Sequence, residues 1–389
     1  MKGTRTSIAA AALAVALTSS AGTATAGPPA STDGHDDWEV TAGDSTDLAT
    51  GLLSPLRVAV GRDDTAYVSQ NFAGLLTRVG ADGATSTLVE RAGIEIGGVA
   101  TRRGDVYYTE SAGGPGSPDP FVANVSVLED GETRVLADFA ALETENNYDA
   151  DNEYGFQDLP EDCVAELPAD LREFLLPRGG EVYSHPFATA VSESGRYVYV
   201  ADAGANAVWT VDTWDDDVDA TVLDPVPTLA TAELRDSLAA QGIALPECVL
   251  GYTFNSEPVP TDIELGPDGL LYLTSLPGIP EDPTLGSVRS FDPDSGDIEI
   301  VVSGLTSPTG LAFDRYGNLF VTELFANRIS IVPAGSDEAE LFTDATQPAD
   351  VEVRGGYLYS TRNALPGEGA PSGTLVRTRL DYGEDYGKD

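Results

Sequence analysis

The chain has 389 residues, with 64 acidic against 21 basic side chains and a formal net charge of −43. So acidic a balance argues against nucleic acid or an anionic lipid surface as partner, since both need a basic face. Two isolated cysteines (Cys163, Cys248) cannot build a structural zinc site without histidine, and only His35 and His185 are present, so no structural metal is expected.

The N-terminus has the order of a processing segment. Lys2 and Arg5 precede an apolar run over residues 8–17, and Ala24-Thr25-Ala26 then offers a small-residue cleavage site. That run is too short to cross a hydrocarbon layer of ~30 Å, so residues 1–26 read as a secretory signal peptide and 27–43 as a flexible segment. No cysteine follows the run to carry a lipid anchor, and no later stretch is apolar enough to span. The expectation is a secreted, soluble, monomeric protein. An exported setting permits a disulfide. Cys163 and Cys248 each fall in an insertion, so a bridge between the insertions is expected.

From residue 53 onward the chain repeats. Six segments open alike: SPLRVAV (54–60), IGGVAT (96–101), HPFATAV (185–191), VPTDIEL (259–265), SPTGLAF (307–313) and QPADVEV (347–353). Each leads through a turn into a second strand rich in Tyr, Val and Leu. Asp82-Gly83 and Asp130-Gly131 then mark hairpin turns. The shortest spacings are close to 40 residues, a propeller period. This predicts an all-β, six-bladed β-propeller of four-stranded blades over residues 44–383, followed by an acidic tail at 384–389. The two long spacings hold insertions at 143–183 and 224–258. The first has a helical pattern at 169–175. The second contains TAELRDSLAAQG, with a Thr cap, helical spacing of apolar residues and a Gly stop. The last blade has only three recognisable strands. Residues 44–52 resemble the strand that ends blade four, so the N-terminal strand should complete the last blade and close the ring.

Several residues could carry chemistry. The second residue after the blade-opening Pro is Arg57, Ala188, Asp262, Gly310 or Asp350. Two residues on, blades four and six add Glu264 and Glu352. A D-x-E strand presents both carboxylates on one face, so these acids and Arg57 are candidates to line a ligand channel, where they could bind a divalent cation or raise one another's pKa. His185, beside the start of an inner strand, is the candidate general base, with Asp262 as the alternative acid or base. Asp149, Asp151 and Glu153 alternate in a loop and are the candidate calcium ligands, although Tyr154 stands where an EF-hand would need Gly. Asp292-Pro293-Asp294-Ser295-Gly296-Asp297 resembles a calcium loop only superficially and reads as a hairpin turn. Asp202/Asn206 and Glu323/Asn327 recur at one repeat position, which reads as turn-binding side chains of the fold.

The YVADAGANAVWTVD stretch (199–212), the VPTDIELGPDGLLYLTSLPGIP stretch (259–280) and Asn146-Asn147 resemble the ScyD/ScyE family, with similarity running from about Thr50 to Val332. More broadly the repeats resemble NHL-type propellers. The resemblance implies the fold and export but no reaction. The chain has Ser184-His185-Pro186-Phe187 where that family tends to have Ser-Asn-Pro-Tyr. Two functions follow. One is a binding or scaffold propeller whose partner is an extracellular protein, a cell-wall component or a small molecule. The other is a metal-dependent hydrolase of the lactonase type. The positions matching gluconolactonase metal ligands are Leu56, Phe187, Thr261, Thr309 and Ala349, which are poor ligands and favour binding.

Overall fold

The computed structural model describes residues 40–240, 242–279, 283–367 and 369–383. The expected signal peptide, most of the flexible segment and the tail at 384–389 lie outside the described residues. Among the described residues there are six four-stranded antiparallel sheets and one of three strands. The first strands of the six sheets are Pro55–Val60, Glu95–Arg102, Pro186–Val191, Pro260–Leu265, Pro308–Phe313 and Val351–Arg354. Five sheets are built from four strands consecutive in sequence. The sixth runs Val351–Arg354, Tyr357–Arg362, Gly373–Tyr382 and then Val40–Leu52 from the other end of the chain. Val40 pairs with Tyr382 and Leu52 with Gly373, with three register shifts between. Each first strand packs against the next, and Val351–Arg354 packs against Pro55–Val60.

Alternation within the strands sends apolar side chains to both faces of a sheet, so the core lies between sheets. Trp209, Val198 and Val200 of the third sheet pack on Val125, Val127 and Phe139. Each such fully buried side chain contributes roughly 1.5–3 kcal/mol relative to an exposed one. The hairpin at Asp130-Gly131 has positive φ at both residues (50° and 83°), as a tight hairpin turn needs.

In four of the six sheets the last residue of the second strand ties down the segment entering the first strand of its own sheet. Gln70 accepts from Leu53 N at 2.7 Å, Asp202 from His185 N at 2.7 Å and Glu323 from Thr306 N at 2.6 Å. Ser275 donates to Pro258 O at 2.5 Å. Three of these segments then kink through a left-handed residue immediately before a proline: Ser54 (φ 49°), Val259 (φ 44°) and Ser307 (φ 52°).

The insertions form one annex. In chain order they carry helices α1 (Phe139–Asn146), α2 (Glu161–Glu166), α3 (Arg172–Leu175) and α4 (Ala232–Ala240). Helix α3 lies within the segment expected to be helical, while α1 and α2 have no counterpart in the sequence reading. Thr231 caps α4, its Oγ1 accepting from Leu234 N at 3.2 Å. Strands Gly155–Phe156, Val226–Leu229 and Thr253–Ser256 join the two insertions in the three-stranded sheet. Cys163 and Cys248 are disulfide-bonded, as expected, in an apolar cluster with Phe156, Leu175, Val249 and Phe254.

Candidate functional site

The channel at the centre of the six sheets is organised by one cation. Arg57 is 2 % exposed. Its Nε donates to Phe187 O at 3.3 Å, its Nη1 to Thr309 O at 2.5 Å and its Nη2 to Thr261 O. Three sheets thus lend a main-chain carbonyl to one guanidinium. The same Nη1 lies 3.9 Å from Asp262 and 3.5 Å from Asp350, and the guanidinium stacks 4.6 Å above the Phe187 ring.

The two aspartates join neighbouring sheets. Asp262 Oδ2 accepts from Leu311 N at 2.6 Å, and Asp350 Oδ2 from Val58 N at 2.7 Å. Burial raises the pKa of both; beyond that, Arg57 pulls each down, while Asp262 pushes Asp350 up. Gly310 stands at the matching position of the fifth sheet because Asp350 fills its space. A Cβ there would lie 2.5 Å from Asp350 Oδ1 and 2.6 Å from Asp350 Cα.

Glu264 and Glu352 follow two residues further along their strands. The matching residues elsewhere are Ala59, Ala100, Ala190 and Ala312. Neither glutamate has a hydrogen-bonding partner among the described residues. Both are half-buried between the channel walls. That enclosure, and then the Glu352 charge, raise Glu264 well above the usual carboxyl range. Enclosure and then Asp262 push Glu352 up to about 8. The shift of each favours the protonated carboxyl, the form that can donate a hydrogen bond.

His185 lies at the end of the channel where the first strands begin. Its Nε2 is 3.1 Å from Glu95 Oε2, and its ring stacks with Tyr183 and tilts against Phe187. Burial works against the imidazolium, but the Glu95 hydrogen bond and charge outweigh it and raise the pKa. Glu95 was not singled out from the sequence. Leu56, Phe187, Leu324, Ala349 and Ala364 form an apolar cluster beside this end. Leu56, Phe187 and Ala349, three of the five positions matching lactonase ligands, are therefore packing residues. A fourth, Thr261, donates to Pro308 O at 2.9 Å.

The structure gathers Arg57, Asp262, Glu264, Asp350 and Glu352 in the channel but spreads the loop carboxylates apart. Asp149 is buried, whereas Asp151 and Glu153 are exposed. Asp149 Oδ2 accepts from Tyr154 Oη at 3.1 Å and from Asn206 Nδ2 at 3.0 Å, so it fastens the annex to the third sheet. Burial pushes its pKa up to about 6. Among the described residues, no group of three or more His, Cys, Asp or Glu side chains is placed to hold a metal ion. Glu143 on α1, unremarkable in sequence, is fully buried. Burial, with Asp202 and Asp149 nearby, pushes its pKa up to about 8. Asp202 accepts from the Gly204, Ala205 and His185 amides and from Trp209 Nε1, the structural role its recurrence suggests.

No family model and no curated protein matches the chain. Several solved structures are similar to it. The PQQ-bound aldose sugar dehydrogenase of Streptomyces coelicolor has a TM-score of 0.55 at 12 % identity, over 89 % of this chain and 99 % of that one. A putative glucose dehydrogenase of Thermus thermophilus has a TM-score of 0.53 at 14 % identity, over 86 % and 99 %. A putative gluconolactonase has a TM-score of 0.51 at 10 % identity, over 87 % and 93 %. At such identities the likeness concerns fold alone. Among the described residues, no helix is long and apolar enough to cross a membrane. Sheet order and structural likeness together make this chain an all-β protein with a β-propeller fold.

Proposed function

We propose that the chain is an exported, six-bladed propeller of the ScyD/ScyE kind, completed by the Val40–Leu52 strand, that works as a binding or scaffold protein. Its partner is an extracellular protein, a cell-wall component or a small molecule. The observation that carries this reading is Arg57. Its guanidinium donates to carbonyls of three sheets and lies beside both Asp262 and Asp350, each of which also accepts from a main-chain amide of the next sheet. An arginine and two aspartates so engaged with one another and with the main chain support cohesion between the sheets better than turnover.

The hydrolase reading draws on one observation, the His185–Glu95 pair near the channel mouth. Metal analysis of the purified protein, with a panel of lactones and esters, separates the two. Absence of turnover supports binding. Calcium and lactone hydrolysis lost together in Asp262→Ala would overturn it. The ring proposal has its own test: removing residues 1–52 should lower the melting temperature sharply, and an unchanged value would refute it.

A further inference from the structure

The most unusual charge distribution lies away from Arg57. A cavity of about 650 Å³ opens where the first strands of three sheets end, and it is lined by Arg62, Arg102, Arg103 and Arg354. Arg102 and Arg354 are the last residues of their strands, at the opposite end from His185. In a chain with three acids for every base, four arginines around one hollow are a marked concentration. None of the four forms an ion pair among the described residues. Arg102 Nε is also buried without a hydrogen-bonding partner.

Two acids share the lining, too few to offset four arginines. Asp63 is engaged by the Thr65 hydroxyl at 2.9 Å and amide at 3.3 Å. Glu193 is the other, which leaves the lining with a positive excess. A concave site walled by protein focuses such a field. Guanidinium groups pair in forked fashion with carboxylate and phosphate oxygens. The volume suits a small molecule rather than a polymer.

We infer that this cavity binds a small organic anion carrying two or more carboxylate or phosphate groups. The site adjoins the far end of the Arg57 centre, Arg354 standing two residues beyond Glu352, and it names a ligand class for the binding reading on which it rests. Lactone hydrolysis would overturn that reading and leave the anion titration to be decided by its own result.

The test is calorimetric titration of the whole protein with citrate and, separately, with pyrophosphate, at low salt. One saturable site is expected for at least one probe, weakening as salt is added. Citrate alone binding assigns a carboxylate ligand; pyrophosphate alone assigns a phosphate ligand. Arg102→Gln with Arg354→Gln should weaken binding at least tenfold, while Arg134→Gln, on an exposed outer strand, should leave it unchanged. Should that double variant fail to fold, the exposed pair Arg62→Gln and Arg103→Gln serves instead, with the same expected loss. No binding of either probe, or equal affinity in the cavity variants and the parent, overturns the inference.

Discussion

Replacing Glu143 with Gln should stabilise the protein, and by an amount that grows with pH. Glu143 is fully buried, its Oε2 has no hydrogen-bonding partner, and its pKa is pushed from 4.5 to about 8. Below about pH 4.5 both folded and unfolded chains hold the proton, and the residue has no pH-dependent effect. Above that value the unfolded chain releases the proton while the folded chain retains it, so stability falls by about 1.4 kcal/mol per pH unit. The loss levels off near pH 8, where the folded state ionises too. At pH 7 the accumulated loss is about 3 kcal/mol, and at pH 5 it is under about 1 kcal/mol. Gln keeps the shape of the protonated acid and does not titrate. Urea unfolding of parent and Glu143→Gln at about pH 5 and about pH 7 measures the difference directly. The variant's advantage should widen by about 2.5 kcal/mol between the two. Other raised carboxyls occur in both proteins and cancel in the comparison. An advantage that stays constant with pH would refute the assignment of a buried, protonated Glu143.

Three further outcomes are expected. Arg57→Met leaves Asp262 and Asp350 without their cation and three carbonyls without their donor, which should cost roughly 3–5 kcal/mol in urea unfolding. Adding Asp262→Asn should recover part of that loss, and no recovery would argue against charge as the cause. Cys163→Ser opens a disulfide spanning 85 residues, so the melting temperature should fall, the chain-entropy cost being roughly 4–5 kcal/mol. Equal melting temperatures with and without the bridge would contradict this. Gly310→Ala drives a Cβ to 2.6 Å from Asp350 Cα, a main-chain clash that should cost roughly 1–3 kcal/mol; full stability in thermal unfolding would show the strands can part there.

The sheets were legible because five of the six open on a proline, and alternating apolar strands and turns recur throughout. The same alignment found Arg57, Asp262, Glu264, Asp350 and Glu352, since equivalent positions of neighbouring first strands come together. Their roles were not legible. Arg57 answers to carbonyls of Phe187, Thr261 and Thr309, and no spacing in one strand reveals which distant carbonyl a guanidinium reaches. Glu95 meets His185 across 90 residues. Insertions have no repeat to read against. There, an acidic sequence concealed both α1 and the burial of Glu143, while Asp149, Asp151 and Glu153 alternated convincingly yet divide between interior and solvent. Arg102 and Arg354 belong to different sheets, so their shared cavity appears only when the strand ends are placed in space.

The last sheet ties the timing of folding to the order of synthesis. Ser45 and Thr378, 333 residues apart, face one another with hydroxyls 2.8 Å apart. Of the two strands, the one made earlier therefore waits for a partner 333 residues further along the chain. Bringing such distant segments together from an unfolded chain would cost about 5 kcal/mol of loop entropy. Prior assembly of the intervening sheets shortens that search, which makes docking of Val40–Leu52 a late step. This outer strand is also the natural place for unfolding to begin, as a seam that can peel while the other five sheets remain intact.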